Sequence, residues 1–290
     1  ARSPAPAVRP GTASDGKSDR SSARSSNSLE LASTRPADGR DVQRARADYQ
    51  AGLKALQQKD LIAARRHLSD AITHGLPRPD LLDAQRKLHE LGDEMVFSPT
   101  RTANDPLVVT HVVRAGETLG KIAAKYHTSK ELLAKINRIR NENYIREGQS
   151  LKVVPGPFHV VVDKSDHEMY VFKDDLCIRC FRVALGANGR TPTGKWIVAN
   201  KLANPNWVDP NTGKRWAADD PENPIGEHWI GLTGIEGDAK GQPGFGIHGT
   251  IDEASLGQDV SMGCIRLGAQ DVELVYMLLV PMQSTVVVRD

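Results

Sequence analysis

Several common roles are excluded by what this chain lacks. Three cysteines among 290 residues are too few for a disulfide framework, and an odd count leaves at least one thiol without an intrachain partner. No apolar run approaches the length of a membrane span, and no hydrophobic signal core precedes the polar stretch that opens at Ala1. A signal or anchor removed upstream of residue 1 is compatible with that opening. The 38 basic and 36 acidic residues leave a formal charge of only +2, so no global field gathers nucleic acid or an anionic membrane. What remains is 39% hydrophobic content over a length that suggests two or more folded units.

Composition divides the chain. Residues 1–40 are rich in Ser, Ala, Arg, Pro and Gly with almost no large apolar side chains, so they read as a disordered tether. From residue 41 to 97 the pattern is helical. Tyr49, Leu53 and Leu56 recur at helical spacing, followed by Leu61, Ala64, Leu68 and Ala71, then Leu81, Ala84, Leu88 and Leu91. Pro77 and Pro79 separate the second helix from the third, and Asp80 is placed to cap the third. Gly52, Ala64, Leu68 and Ala71 resemble a single tetratricopeptide unit, and a plain helical bundle or a docking surface for a protein partner fits the same pattern.

Residues 109–154 read as strand, helix, helix, strand. Val112 and Val113 open a strand, Leu119, Ile122, Ala123 and Tyr126 form a helical stripe, and Thr128 with Glu131 suggests a capping box ahead of Leu132, Leu133 and Ile136. The run 148–154 returns as a strand. Val113-Arg114-Ala115-Gly116-Glu117-Thr118-Leu119, Ile122-Ala123, Leu132 to Asn137 and Gly148-Gln149-Ser150-Leu151 together resemble the LysM family. That resemblance implies a βααβ module that binds N-acetylglucosamine-containing wall glycans, with a spacer that has lost its ligand as the alternative.

Residues 155–290 read as mainly β. Strands are expected at Phe158 to Val162, Met169 to Phe172, Leu176 to Leu185, Trp196 to Ala199, His228 to Leu232, Phe245 to Ile247 and Ser284 to Val288. One helix near Ala269 to Leu279 packs Val272, Val275 and Leu279 against them. The Pro- and Gly-rich stretch from Ala203 to Asn223 is long for a loop, which marks it as functional or mobile.

The chemistry centres on Ser261-Met262-Gly263-Cys264-Ile265-Arg266. Cys264 sits between a glycine and an arginine, in a setting unlike a buried strand and suited to display, and backbone N–H groups around Gly263 and Cys264 can face a developing oxyanion. An ordinary thiol is mostly protonated at neutral pH, so a cysteine nucleophile needs a base. His248, in Phe245-Gly246-Ile247-His248-Gly249-Thr250, lies sixteen positions earlier and can supply it, with a backbone carbonyl fixing its tautomer.

The wording of these motifs, with Val183-Ala184-Leu185-Gly186, Thr191-Pro192-Thr193-Gly194-Lys195 and Asn204-Pro205-Asn206-Trp207, resembles the L,D-transpeptidase catalytic domain over essentially all of residues 155–290. The resemblance implies a β-sandwich-like domain with a short helix, Cys264 as nucleophile, His248 as base and the Gly249 carbonyl as its orienter. Gly263, Ser261, Thr250, Met262 and Arg266 are then expected around the oxyanion and the substrate, with a structural salt bridge as the alternative role of Arg266. Many members carry histidine where this chain has Met262. The implied reaction expels D-alanine from a peptidoglycan stem through a Cys264 thioester and forms a 3→3 cross-link outside the cytoplasm, in the periplasm or cell wall. An L,D-carboxypeptidase, a protein-to-peptidoglycan ligase, a redox-sensing thiol and a non-catalytic wall-binding scaffold are the rivals. Carbapenem acylation of the thiol is a further implication.

No cofactor and no metal are expected. Cys177 and Cys180 stand three apart in a strand, which should aim them at opposite faces and oppose a disulfide, and no second pair completes a zinc site. The remaining histidines show no ligand spacing, and His228 is the one expected near a cleft.

Overall fold

A computed structural model describes residues 39–209 and 212–290. The tether expected over residues 1–40 lies outside these, apart from its last two positions, which begin the first helix.

Three helices lead: α1 (Gly39–Gln57), α2 (Leu61–Thr73) and α3 (Asp80–Met95). The Asp60 side chain caps α2 by accepting from the Ala63 N–H at 3.0 Å. The expected cap on α3 is corrected. Pro79 occupies that position without a side-chain bond, and Asp80 is the first helical residue. A proline there loses nothing, because the first N–H groups of a helix have no intrahelical partner. The apolar stripes meet as foreseen, with Ala64, Leu68, Ala71, Ala84 and Leu88 fully buried.

The LysM-like βααβ unit follows as β1 (Val109–Val112), α4 (Leu119–Lys125), α5 (Lys130–Ile136) and β2 (Ser150–Val153), with β1 and β2 antiparallel. Ser129, rather than Thr128, caps α5, its hydroxyl accepting from the Leu132 N–H at 3.0 Å. Lys152 ties this unit to the helices: its buried ammonium donates to the carbonyls of Met95 and Ser98 at 2.6 and 2.9 Å and also to that of Thr100. Nearby, Arg65 and Asp105 form a bidentate pair at 2.9 and 2.6 Å that is almost wholly buried.

The remaining strands are β3 (Phe158–Asp163), β4 (Glu168–Lys173), β5 (Leu176–Arg182), β6 (Leu185–Gly186), β7 (Gly194–Ala203), β8 (Trp207–Val208), β9 (Arg215–Trp216), β10 (His228–Glu236), β11 (Gly246–Gly249), β12 (Asp259–Ser261), β13 (Ile265–Leu267) and β14 (Thr285–Arg289), with α6 (Ala269–Leu278) before the last. Eight of them make one sheet in the order β13-β11-β10-β7-β14-β3-β4-β5. Instead of ending in two free edges, the sheet curls until Ala184, just past β5, exchanges two backbone hydrogen bonds with Arg266 of β13 at 3.0 and 2.9 Å. The mainly β domain is thus a nearly closed barrel. The helix α6 packs Val272 and Val275 into it, and Leu279 just beyond is also buried.

Strand β5 lies at one end of this sheet order, and the leading helices cover it. Its Cys177 N–H donates to Ser69 Oγ at 2.8 Å and its Cys180 N–H to His89 Nε2 at 3.2 Å. An open edge exposes unpaired N–H groups that invite another strand, and α2 and α3 satisfy two of them with side chains. One apolar core consequently runs from the helices into the sheet.

Candidate active site

The strands β11 and β13 run parallel and in register, with His248 opposite Arg266. Cys264 ends the turn that enters β13. This pairing brings two residues sixteen positions apart in sequence into one cleft of about 280 Å³ that His248 and Cys264 both line, with Arg266, Met262, Ser261 and Gly263.

The turn before the cysteine is wound by side chains. Ser261 Oγ donates to the Cys264 carbonyl at 2.6 Å and accepts from the Gly263 N–H at 3.0 Å. Thr191 Oγ1 donates to the Gly263 carbonyl at 2.8 Å. Gly263 has φ +142°, and a Cβ there would stand 2.7 Å from the Phe245 ring, so geometry and space both require glycine.

His248 is buried, and its Nδ1 lies 2.7 Å from the Gly249 carbonyl. A carbonyl only accepts, so Nδ1 carries the proton and Nε2 keeps its lone pair. Burial pushes the imidazole down to about 4, against the hydrogen bond to Gly249 and with help from the Arg266 charge. Burial also pushes the Cys264 thiol up, while a Gly246 backbone hydrogen bond and Arg266 pull it down. The thiol points toward the Gly244 carbonyl, 3.8 Å away. Burial thus favours the neutral form of both the thiol and the imidazole.

Thr250 does not line this cleft. Its hydroxyl accepts from the Asp252 N–H at 3.1 Å and shapes the turn after β11. Among the described residues Arg266 makes no salt bridge, and its buried Nε lacks a hydrogen-bond partner, so the structural ion pair considered for it is absent there. His228 faces away from the cleft and packs on Tyr276 with ring centroids 4.6 Å apart. Its strand neighbour Trp229 takes the cleft instead, as alternation along a strand requires.

Trp229 and Trp207 are cleft residues that the sequence pattern left unassigned. Trp229 stacks on His248, and Gly246 makes room for it, since a Cβ there would lie 2.6 Å from the indole. Trp207 belongs to the short hairpin β8–β9 inside the long loop, braced by Trp216 at 5.0 Å between ring centroids. An isolated aromatic in a strand reads equally well as core.

One further expectation is corrected. Cys177 and Cys180 do not face opposite ways: a bulge in the β4–β5 pairing opposite Val171 and Phe172 brings their sulfurs to 3.7 Å. Away from the cleft, α1 and α2 gather Asp48, His67 and Asp70, with one ligand-type atom of each within 4.8 Å of the others. His74 Nδ1 lies 2.9 Å from the same Asp48.

The YkuD model, described as the L,D-transpeptidase catalytic domain, matches residues 157–288, and the LysM domain model matches residues 111–154. YqjB of Bacillus subtilis strain 168, an L,D-transpeptidase-type protein, is 35% identical over 140 residues, which are 47% of this chain and 74% of YqjB. The chain belongs to the L,D-transpeptidase family. YkuD of Bacillus licheniformis, of the same type, is 27% identical over 173 residues, or 57% of this chain and 90% of that protein. Among solved structures, an L,D-transpeptidase from Mycobacterium smegmatis aligns with 49% of this chain and 64% of its own at 21% identity and a TM-score of 0.37. In this family member the LysM module stands directly before the catalytic barrel, and such modules bind peptidoglycan. Among the described residues, no helix is long and apolar enough to cross a membrane.

Proposed function

We propose that this L,D-transpeptidase works outside the cytoplasm on peptidoglycan stems, joining them by 3→3 cross-links through a thioester on Cys264. The observation that carries this reading is the tautomer of His248, whose Nδ1 is committed to Gly249 and whose Nε2 can take a proton. With both groups neutral, the thiol gives its proton to Nε2 as Sγ attacks the carbonyl of the third stem residue. The C–N bond to the terminal D-alanine then breaks, and the imidazolium returns the proton to the leaving amine. An acceptor amine attacks the thioester, the S–C bond breaks and the thiol is restored. Since Ser261 holds the Gly263 N–H, the oxyanion falls to the Cys264 N–H in this reading. Arg266, with an unpaired buried Nε in the same cleft, suits a stem carboxylate.

Incubation with a purified disaccharide-tetrapeptide tests the reaction. Mass spectrometry should detect D-alanine release and a cross-linked dimer joined between third residues. Tripeptide without dimer would make water the acceptor and the enzyme a carboxypeptidase.

A further inference from the structure

The catalytic chemistry leaves two of the three thiols unused, and both are buried. Cys177 and Cys180 are 0% and 2% exposed on β5, beneath the helices α2 and α3. Strand alternation alone would put residues three apart on opposite faces. The pairing shows why it fails: Phe172 faces Cys177 and Val171 faces Arg179, so Ile178 is an extra residue without a partner across the strand. One inserted residue shifts the phase of the strand and turns both thiols to the same side.

The structure assigns Cys177 and Cys180 as a disulfide-forming pair, a covalent site on β5 distinct from the nucleophile. Their sulfurs are 3.7 Å apart, so bond formation at about 2.05 Å requires them to approach by about 1.7 Å, within reach of side-chain rotation at a bulge. The backbone on either side is anchored by Ser69 and His89, which keeps both residues in place. The compartment in which this family works favours disulfides over free thiols. Closing the pair also removes two competitors from exchange with Cys264, leaving the nucleophile as the sole thiol.

The step is ordinary thiol–disulfide exchange with a small disulfide. One protein thiolate attacks it, forming a mixed disulfide and releasing one small thiol. The second protein thiolate attacks the mixed disulfide and releases another, so two protein thiols are oxidised and one small disulfide is reduced to two thiols. Burial pushes the Cys180 thiol up, so exchange is slow in the folded state and fast while α2 and α3 are undocked.

Refolding tests the assignment independently of turnover. The fully reduced full-length chain is refolded in a glutathione redox buffer, its free thiols are alkylated under denaturing conditions, and it is digested with trypsin. Arg179 lies between the two cysteines, so a disulfide holds together two tryptic peptides that otherwise separate. The expected result is an intact mass about 2 Da below that of the reduced chain, one alkylated thiol at Cys264 and the linked peptide pair. The Cys264→Ala chain should give the same linked pair with no thiol left to alkylate. Three free thiols in the refolded protein, a retained glutathione adduct on Cys177 or Cys180, or a disulfide through Cys264 would overturn it. Loss of D-alanine release with the linked pair intact would count against the catalytic reading alone.

Discussion

The indole of Trp229 lies almost parallel to the imidazole of His248, with planes 19° apart and centroids separated by 5.8 Å. The two residues are partners across β10 and β11, and burial pushes the imidazole down to about 4. Below the ordinary value of 6.5, a neutral imidazole persists through the pH range in which exposed histidines protonate. Between pH 6.5 and 4 the unfolded chain takes up a proton that the native site refuses, so this group lowers stability as pH falls through that window.

The same shift sets the activity profile. The acid limb of kcat/KM for D-alanine release should fall near pH 4, with no loss between pH 7 and 6. Trp229→Ala should move that limb upward toward 6.5, and Trp229→Phe should keep it low. A limb that stays put in Trp229→Ala would remove the indole from any role in setting the base.

Glu168 offers a second titration, away from the cleft. It is 5% exposed and pushed up to about 7 by burial, against the charge of Arg78. The native chain thus keeps a proton over pH 4.5 to 7 that the unfolded chain releases, and stability from this group declines as pH rises through that window. Glu168→Gln should raise the thermal midpoint at pH 8 and change it little at pH 4.5. Equal gains at both pH values would contradict the account.

The bidentate pair of Arg65 and Asp105 clamps the leading helices to the segment that enters the LysM module. Removing one partner leaves a buried charge unpaired. Asp105→Ala should therefore cost about 3–5 kcal/mol in urea unfolding. A cost under about 1 kcal/mol would mean that water reaches the guanidinium.

These contacts also show what the sequence carries and what it hides. The positions of His248 and Cys264 were legible because their glycine-flanked motifs are local, and the helical stripe around Leu68 and Leu88 because its period is local. Asp80 and Thr128 were misplaced by a single residue, since Pro79 and Ser129 beside them suit a helix start equally well. The bulge at Ile178 breaks the period on which the facing of Cys177 and Cys180 was judged. Trp229 was hidden because its meaning depends on a neighbouring strand, and the docking of the helices on β5 because Ser69 and His89 meet it only through tertiary packing.

Glycan binding has its own test in the LysM module. Tyr144 is 77% exposed beside a hollow of about 550 Å³ that it forms with Arg146, Glu147, Gly148 and Gln149. An exposed ring next to a concave polar surface suits a sugar face. Tyr144→Ala should weaken sedimentation with insoluble peptidoglycan while turnover of a soluble tetrapeptide persists. Unchanged sedimentation would move the glycan site elsewhere on the module. Point substitution is preferable to deletion here, because Lys152 of β2 also anchors the helices.

The central claim is that Cys264 is an activated acyl acceptor served by His248. Intact-mass analysis after exposure to a carbapenem, whose strained lactam a reactive thiol opens to a stable thioester, tests it most directly. The account predicts one adduct per chain, mapped to Cys264, absent in Cys264→Ala and slowed by about two or more orders of magnitude in His248→Ala. An adduct on Cys177 or Cys180, or none on folded protein that also fails to release D-alanine, would contradict it.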